Sequence, residues 1–160
     1  MSDPVIRDAA ESDLMAVEAA LKALAQDLTD PYRPGRARLR SALFGPTPSA
    51  HAQIAMGADG PVGLALFSPV FSTVRGGAGL FVSDLWVGGA ARGQGLGRAL
   101  LQSAAHRAED LWDACFLRLA VYPDNMGAQA FYETLGFEPV PRELTMVLTG
   151  TAFQMLRGPR

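Results

Sequence analysis

The stretch from Leu85 to Leu101, LWVGGAARGQGLGRALL, constrains this chain more than any other part of its sequence. It runs from an alternating apolar segment, typical of a strand, through a glycine-rich turn into a segment with helical apolar spacing. Gly93, Gly95 and Gly97 fall at every second position of the turn. Glycine lets a backbone turn sharply and leaves its N–H groups uncovered by side chains. The stretch therefore predicts a strand, a tight turn and a helix that begins at once.

The rest of the chain divides into segments with helical or strand patterns. Four helices are predicted from apolar spacing and from their start and stop residues, at 12–28, about 36–45, about 97–110 and 125–135. Strands are predicted within 3–10, as two strands within 51–71, and then within 80–87, 115–122 and 137–148.

The order of these segments predicts the fold class. A turn at Asp59-Gly60 indicates a hairpin, which pairs strands antiparallel, whereas strands separated by a helix pair in parallel. The prediction is an α/β (α+β mixed) protein. Its mixed, mostly antiparallel twisted sheet has six to seven strands, with about four helices on both faces. A length of 160 residues suits a single domain, 1–160.

Composition excludes several classes of function. A net charge of −2 provides no basic surface for nucleic acid, and no apolar run approaches the roughly 18 residues that span a bilayer. The polar N-terminus lacks the pattern of a secretory signal, so we expect a cytoplasmic protein. Cys115 is the single cysteine, and with only His51 and His106 the chain has too few ligands for a usual structural zinc site, so no metal is expected.

The glycine turn fails two familiar phosphate-binding patterns. Counted from Gly93, the dinucleotide fingerprint requires a sixth-place glycine where this chain has Arg98. Counted from Gly88, the nucleoside triphosphate loop requires a lysine where this chain has Gln94. A strand end, bare backbone and a helix N-terminus nevertheless remain, and this combination favours binding of an anion such as a pyrophosphate. Arg92 and Arg98 bracket the turn and could add charged hydrogen bonds.

Two motifs together resemble the GCN5-related N-acetyltransferase (GNAT) family. RGQGLG, residues 92–97, is similar to the family's arginine-x-x-glycine-x-glycine pattern, which follows its fourth strand. NMGAQAFYETLGF, residues 125–137, is similar to the pattern of its fourth helix. The close resemblance covers a cofactor-binding core of about 79–137 and implies the GNAT fold, with acetyl-coenzyme A as co-substrate.

The resemblance also implies a role for individual residues. The main chain of Leu85, Trp86 and Val87 would pair with the pantetheine arm, and Asn125 and Ala128 would lie near its acetylated end. The pyrophosphate would be wrapped by the turn between the arginines, namely Gly93, Gln94, Gly95, Leu96, Gly97 and Arg98, with Arg92 beside it. Asn125 has a second interpretation, compatible with the first, as a helix cap.

Tyr132 and Asp84 are the candidate catalytic residues. Tyr132 matches the family's tyrosine that protonates the departing thiolate, and a phenol with a pKa of about 10 suits that role. Its alternative is a helix residue packed beside Phe131. An amine acceptor is protonated at neutral pH, and Asp84 is the best-placed carboxylate to take its proton. Asp84 could equally be an electrostatic anchor or a hydrogen-bonding group of the strand.

The acceptor stays open at this point. The sequence is most similar to the polyamine and small-amine members, which commonly carry two adjacent acids where this chain has Ser83-Asp84. Because the first of these acids is missing, the sequence supports a smaller amine or an amino acid as the acceptor equally with a polyamine. The alternatives are an enzyme acting on protein or peptide N-termini or lysines, and a coenzyme A-binding sensor without turnover. The family also suggests a possible homodimer, and the tail from 149 to 160 has no assigned role.

Overall fold

The computed structural model describes residues 4–159. Asp3, at the start of the first predicted strand, and Arg160, at the end of the tail, lie outside the described residues. The elements in chain order are β1 (Val5–Asp8), α1 (Leu14–Leu28), α2 (Arg36–Phe44), β2 (His51–Gly57), β3 (Gly60–Ser72), β4 (Gly77–Val87), α3 (Leu96–Trp112), β5 (Leu117–Leu119), α4 (Met126–Thr134) and α5 (Gly150–Arg157). Short 3-10 turns precede α1 and follow β4.

The strands form one mixed sheet in the order β1-β2-β3-β4-β5. The first four strands pair antiparallel, and β5 pairs in parallel with β4 across the α3 crossover. The hairpin predicted near Asp59-Gly60 joins β2 to β3, with Gly60 as the first residue of β3. The predicted mixed, mostly antiparallel class is confirmed, but among residues 4–159 the sheet has five strands rather than six to seven.

Helices cover both faces of this sheet, as predicted. Neighbouring strand residues point to opposite faces, and on one face Ile54 packs with Val17 of α1 and Leu39 of α2. On the other face Gln53 accepts a hydrogen bond from Ser103 of α3, with 2.9 Å between Ser103 Oγ and Gln53 Oε1. The sheet is thus a rigid layer between α1 and α2 on one side and α3 on the other.

The C-terminal part differs most from expectation. β5 covers only Leu117–Leu119 of the strand predicted at 115–122, and no strand forms within the described residues 137–148. Pro139 and Pro141 contribute to this outcome because proline has no N–H to donate to a neighbouring strand. The tail contains α5, a helix for which the sequence provided no prediction.

Contacts divide the chain into two compact units, Met1–Tyr122 and Pro123–Arg160. The first unit contains the whole sheet with α1, α2 and α3, and the second contains α4 and α5. The single acetyltransferase domain expected over 1–160 stays a prediction. Among residues 4–159, none of the helices combines the length and apolar content that crossing a bilayer requires.

Candidate active site

The glycine turn between β4 and α3 adopts the backbone that only glycine favours. Gly93 and Gly95 have φ of 74° and 81°, in the left-handed region. Gly95 is the N-cap residue of α3, which begins at Leu96. The predicted sharp strand-to-helix turn is therefore present, and glycine at two of its positions is a conformational requirement.

In the described part of the chain, a run of main-chain N–H groups from the end of this turn into the start of α3 is unpaired. Within residues 4–159, the N–H groups from Gly93 to Arg98 donate to no main-chain oxygen, and the first helical bond runs from Ala99 N–H to Gly95 O at 3.1 Å. Such groups at a helix N-terminus carry a positive partial charge and bind anions. The Arg98 side chain is exposed and makes no hydrogen bond or ion pair in the described part of the chain. The turn thus combines open donors with a free cation, which fits a diphosphate.

The Arg92 side chain is engaged within the protein. Its Nε donates to the carbonyl oxygen of Val87 at 2.9 Å, and its Nη2 lies 2.5 Å from Asp27 Oδ2. These contacts join the glycine turn to the end of β4 and to the last turn of α1. The predicted contact of Arg92 with phosphate stays a prediction. No pattern in the sequence indicates the ion pair of Arg92 with Asp27, because the two residues are 65 positions apart.

The end of β4 presents an open strand edge. β5 pairs only with Leu80 to Val82, so the three residues predicted to bind the cofactor arm, Leu85, Trp86 and Val87, have β3 on one side. No other strand among residues 4–159 pairs with them. Gly88 N–H donates to Val62 O of β3 at 2.9 Å, so by alternation the main-chain groups of Leu85 and Val87 point to the open side. An extended ligand with amide groups fits such an edge.

A β-bulge at Ser83 orients the residues of this edge. Leu66 pairs with Asp84 and Phe67 with Val82, so Ser83 is an extra residue without a partner on β3. The Ser83 hydroxyl donates to Leu66 O at 3.3 Å. Because a bulge shifts the alternation by one residue, Val82 and Asp84 point to opposite faces of the sheet. No pattern in the sequence indicated this bulge.

Asp84 lies on the face of the sheet that α1 and α2 cover. Its partner Leu66 packs against the core of that face, as does Trp86 two residues further along β4. The side chain is half-buried. Burial raises the pKa of Asp84 above its ordinary value, and the neighbouring Ser83 hydroxyl opposes part of this rise in pKa. A carboxylate with a raised pKa is a stronger base than an exposed one.

A second acidic group lies where α1 ends. Tyr122, which follows β5, donates a hydrogen bond to Asp30 at 2.9 Å. Asp27 and Asp30 thus place two carboxylates at the C-terminal end of α1 and just beyond it. This contact also depends on residues far apart in sequence.

The second unit holds the motif residues of α4. Asn125 is the N-cap of α4, and its Oδ1 accepts the N–H of Ala128 at 3.1 Å. The interpretation of Asn125 as a helix cap is confirmed, and the proximity of Asn125 and Ala128 to a bound cofactor stays a prediction.

Tyr132 is held on α4 by two aromatic neighbours. Its ring centroid lies 5.2 Å from that of Phe131 and 5.4 Å from that of Phe137. Burial raises the pKa of Tyr132 above its ordinary value, so the phenol stays protonated at neutral pH. Its hydroxyl makes no hydrogen bond with any residue from 4 to 159. Tyr132 thus packs beside Phe131, as its alternative interpretation expects, and its role as a proton donor stays a prediction.

No cluster of three or more His, Cys, Asp or Glu side chains able to hold a metal ion lies within the described range 4–159. Both candidate catalytic residues, the carboxyl group of Asp84 on β4 and the phenol of Tyr132 on α4, have a pKa raised by burial.

Known proteins place this arrangement in a family. Residues 19–137 match the model of the acetyltransferase (GNAT) family. The chain is 31% identical to a thialysine N-epsilon-acetyltransferase from Sus scrofa over 146 residues, 85% of each protein. It is 31% identical over 147 residues to the Bos taurus enzyme of the same name, again over 85% of each. Among solved structures, an integron cassette protein of V. cholerae superposes with a TM-score of 0.78 at 18% identity, covering 99% of this chain and 100% of that one. The fold predicted from the two motifs is confirmed, and this chain is a member of the GNAT family and an acyltransferase.

Proposed function

We propose that this protein is an N-acetyltransferase that moves an acetyl group from acetyl-coenzyme A to a primary amine of a small molecule. The observation that carries the proposal is the run of unpaired main-chain N–H groups from Gly93 to Arg98, next to the open edge of β4. Both features suit one ligand that has a diphosphate and an extended arm with amides.

Different residues bind the diphosphate and the extended arm of the ligand. The N–H groups of the glycine turn hold the diphosphate, and Arg98 neutralises part of its charge. The outward N–H and C=O groups of Leu85 and the N–H group of Val87 pair with the arm, since the Val87 carbonyl oxygen accepts a hydrogen bond from Arg92. Arg92 contributes indirectly, because its contacts with Val87 O and Asp27 hold the glycine turn in place.

Two side chains move the protons. Bound acetyl-coenzyme A supplies an activated thioester, and attack by an amine requires the neutral form of that amine. Asp84 accepts the proton of the amine, directly or through water, and its raised pKa makes this transfer easier. Tyr132 donates the proton of its hydroxyl to the leaving thiolate, and burial keeps it protonated until then. Holding both reactants together provides much of the acceleration.

We propose a small amine with one or few positive charges as the acceptor. The relatives from Sus scrofa and Bos taurus are named for acetylation of the N-epsilon amine of thialysine. Asp84 is the only acid at its bulge, since Ser83 precedes it, and Asp27 is already paired with Arg92. A single unpaired carboxylate suits the side-chain amine of an amino acid better than a polycation, which needs several negative charges.

A thiol-release screen tests this proposal. Purified protein with acetyl-coenzyme A is offered thialysine, lysine, polyamines, aminoglycosides and peptide N-termini, and free coenzyme A is followed with a thiol reagent. We expect steady release with lysine-like amines. Calorimetry with coenzyme A runs in parallel. Binding without turnover across the panel would favour a sensor module, and turnover confined to peptides would favour the protein-directed alternative.

A further inference from the structure

A small cavity lies where β1 ends and β2 begins, within the unit that contains the sheet. Its volume is about 180 Å³, and the end of α2 and one side chain of α3 complete its lining. The polar lining residues are Asp8, His51 and Arg107, and the apolar lining includes Leu43 and Phe44. We refer to it as the Asp8–Arg107 cavity. The proposed acetyl transfer uses none of these residues, so their polar groups are available to another ligand.

The polar groups of this cavity lie on the face of the sheet that α3 covers. Asp8 pairs with Gln53, whose side chain meets α3, and His51 lies two residues before Gln53 on the same strand. Side chains two positions apart on a strand share a face. Asp84 lies on the opposite face, which α1 and α2 cover. The cavity is therefore separate from the carboxylate proposed to act on the amine.

A chain of hydrogen bonds fixes the position of the Asp8 carboxylate. Ser103 Oγ donates to Gln53 Oε1 at 2.9 Å, and Gln53 Nε2 donates to Asp8 Oδ1. Gln53 is only 2% exposed, and a buried amide costs free energy unless its polar atoms are paired. Here both the oxygen and the nitrogen are paired, and the pairing orients Asp8. The second carboxylate oxygen, Oδ2, remains for Arg107 and for the cavity.

Arg107 and His51 bring polar atoms that have no hydrogen-bond partner in the part of the chain that the structure describes. Arg107 Nε lies 3.0 Å from Asp8 Oδ2 in an ion pair, yet this nitrogen is buried and makes no hydrogen bond. The His51 ring packs beside Phe67 and Trp112, at centroid distances of 5.8 and 5.1 Å, and its nitrogens are left without partners. A buried donor without a partner costs free energy that a bound acceptor would restore.

The charges that face the cavity cancel. Arg107 is positive and Asp8 is negative. Burial lowers the pKa of His51, Arg107 adds to this effect and Asp8 opposes it, so the imidazole is neutral at pH 7. A lone anion would be repelled by Asp8 and a lone cation by Arg107, whereas a molecule with both charges on neighbouring groups satisfies both side chains. We propose that the Asp8–Arg107 cavity is an accessory binding site for a small zwitterionic amino acid, with its carboxylate on Arg107 and its ammonium group on Asp8 Oδ2.

The size and lining of the cavity restrict the side chain of this amino acid. A volume of about 180 Å³ corresponds to roughly six water molecules of about 30 Å³ each. This volume suits an amino acid with a short side chain, such as alanine, and not a long one such as lysine. Leu43 and Phe44 provide an apolar wall for the methyl group. The inference does not rest on the proposed acetyl transfer.

Titration of the full chain with alanine, in the absence of coenzyme A, tests the site by ligand-observed NMR. We expect saturable binding at millimolar concentration, and much weaker binding of acetate and of ethylamine, each of which carries one charge. Arg107→Gln should lower the affinity for alanine at least tenfold, because it removes charged hydrogen bonds. Arg38→Gln is the matched control, since Arg38 is exposed on α2 and does not line the cavity, and it should bind like the wild type. No saturable binding of alanine, or equal binding of acetate, would overturn the proposal.

Two further variants show whether alanine occupies this cavity or the acceptor site. Ala9 also lines the cavity, so Ala9→Leu fills part of it without changing any charge and should weaken alanine binding while the circular dichroism spectrum stays native. Asp84→Asn should bind alanine like the wild type, because Asp84 lies on the other face of the sheet. Wild-type affinity in a natively folded Ala9→Leu variant would exclude the cavity. Loss of alanine binding in Asp84→Asn, with binding retained in Arg107→Gln, would place alanine in the acceptor site instead.

Discussion

Arg92 Nη2 lies 2.5 Å from Asp27 Oδ2, so an ion pair ties the glycine turn to the last turn of α1. The same guanidinium donates to Val87 O at the end of β4. One side chain thus connects the turn, a strand and a helix from different parts of the sequence. Such a connection limits how far the turn can move.

The ion pair predicts how Arg92 and Asp27 contribute to binding. If Arg92 anchors the turn, Arg92→Gln and Asp27→Asn should each weaken coenzyme A binding by at most about fivefold, because exposed pairs contribute about 0.2–1 kcal/mol. The double variant should be no weaker than either single variant. Calorimetry on the four proteins measures this cycle. A large loss for Arg92→Gln with no loss for Asp27→Asn would show direct phosphate binding by Arg92 instead.

Gly95 is predicted to be essential for the shape of the anion site. A Cβ at Gly95 would meet no atom within 4 Å, so Gly95→Ala adds no clash and only makes a φ of 81° unfavourable. The left-handed conformation costs a non-glycine residue about 1–2 kcal/mol, so coenzyme A affinity should fall roughly tenfold. Gly89→Ala is the control, because Gly89 also has open space but no positive φ, and its affinity should match the wild type. Equal losses in both variants would contradict the argument.

Tyr132→Phe should reduce turnover and leave binding intact. The substitution keeps the ring contacts with Phe131 and Phe137 and removes only the hydroxyl. We expect kcat to fall on the order of 100-fold, the usual scale for a lost general acid, with unchanged coenzyme A affinity. Steady-state kinetics and calorimetry measure the two quantities. Weakened affinity with unchanged kcat would assign Tyr132 to binding.

Asp84→Asn should lower activity without lowering stability. The pKa of Asp84 is raised by burial, so between its unfolded and folded pKa the native state holds more protons, and stability falls as pH rises through that window. Asparagine carries no charge and removes this penalty, so at neutral pH its melting temperature should equal or exceed that of the wild type. kcat/KM should fall on the order of 100-fold. In the wild type, kcat/KM should decrease as pH falls through the raised pKa of Asp84, and this decrease should be absent from the variant. A marked loss of stability would indicate a structural anchor.

For Asp13 we expect the opposite dependence of folding stability on pH. It lies before α1, binds Arg7 through two contacts of 2.5 and 2.9 Å, and accepts the N–H of Ala10 at 2.8 Å. The hydrogen bond from Arg7 lowers the pKa of Asp13 below its ordinary value. Its contribution to stability is therefore present above the unfolded pKa of about 3.9 and is lost as pH falls through the folded pKa.

Acid denaturation of Asp13→Asn measures this contribution. The variant should melt lower than the wild type at pH 7, and the difference should shrink at the acid end. Glu109→Gln, an exposed carboxyl group on α3, should melt like the wild type. A difference in melting temperature between Asp13→Asn and the wild type that is the same at all pH values would contradict the assigned pair.

Patterns within a few residues were sufficient to predict much of the fold and of the candidate site. The glycines at 93 and 95 predicted the turn because their effect is local, and the apolar spacing predicted α1 and α3 to within a few residues of their observed ends. The segment 137–148 also has a strand pattern, yet it forms no strand. A strand exists only where a second strand accepts its hydrogen bonds, so a pattern alone cannot decide it.

The sequence by itself determined the order of the main helices and strands up to β5, the glycine turn and the two motifs that resemble the family, because each is encoded in short stretches of neighbouring residues. Only the tertiary structure decided the bulge at Ser83, the side of the sheet on which Asp84 lies, and the pairing of Arg92 with Asp27. These depend on which distant segments meet. Strand register and packing set those contacts, and both are properties of the folded chain as a whole.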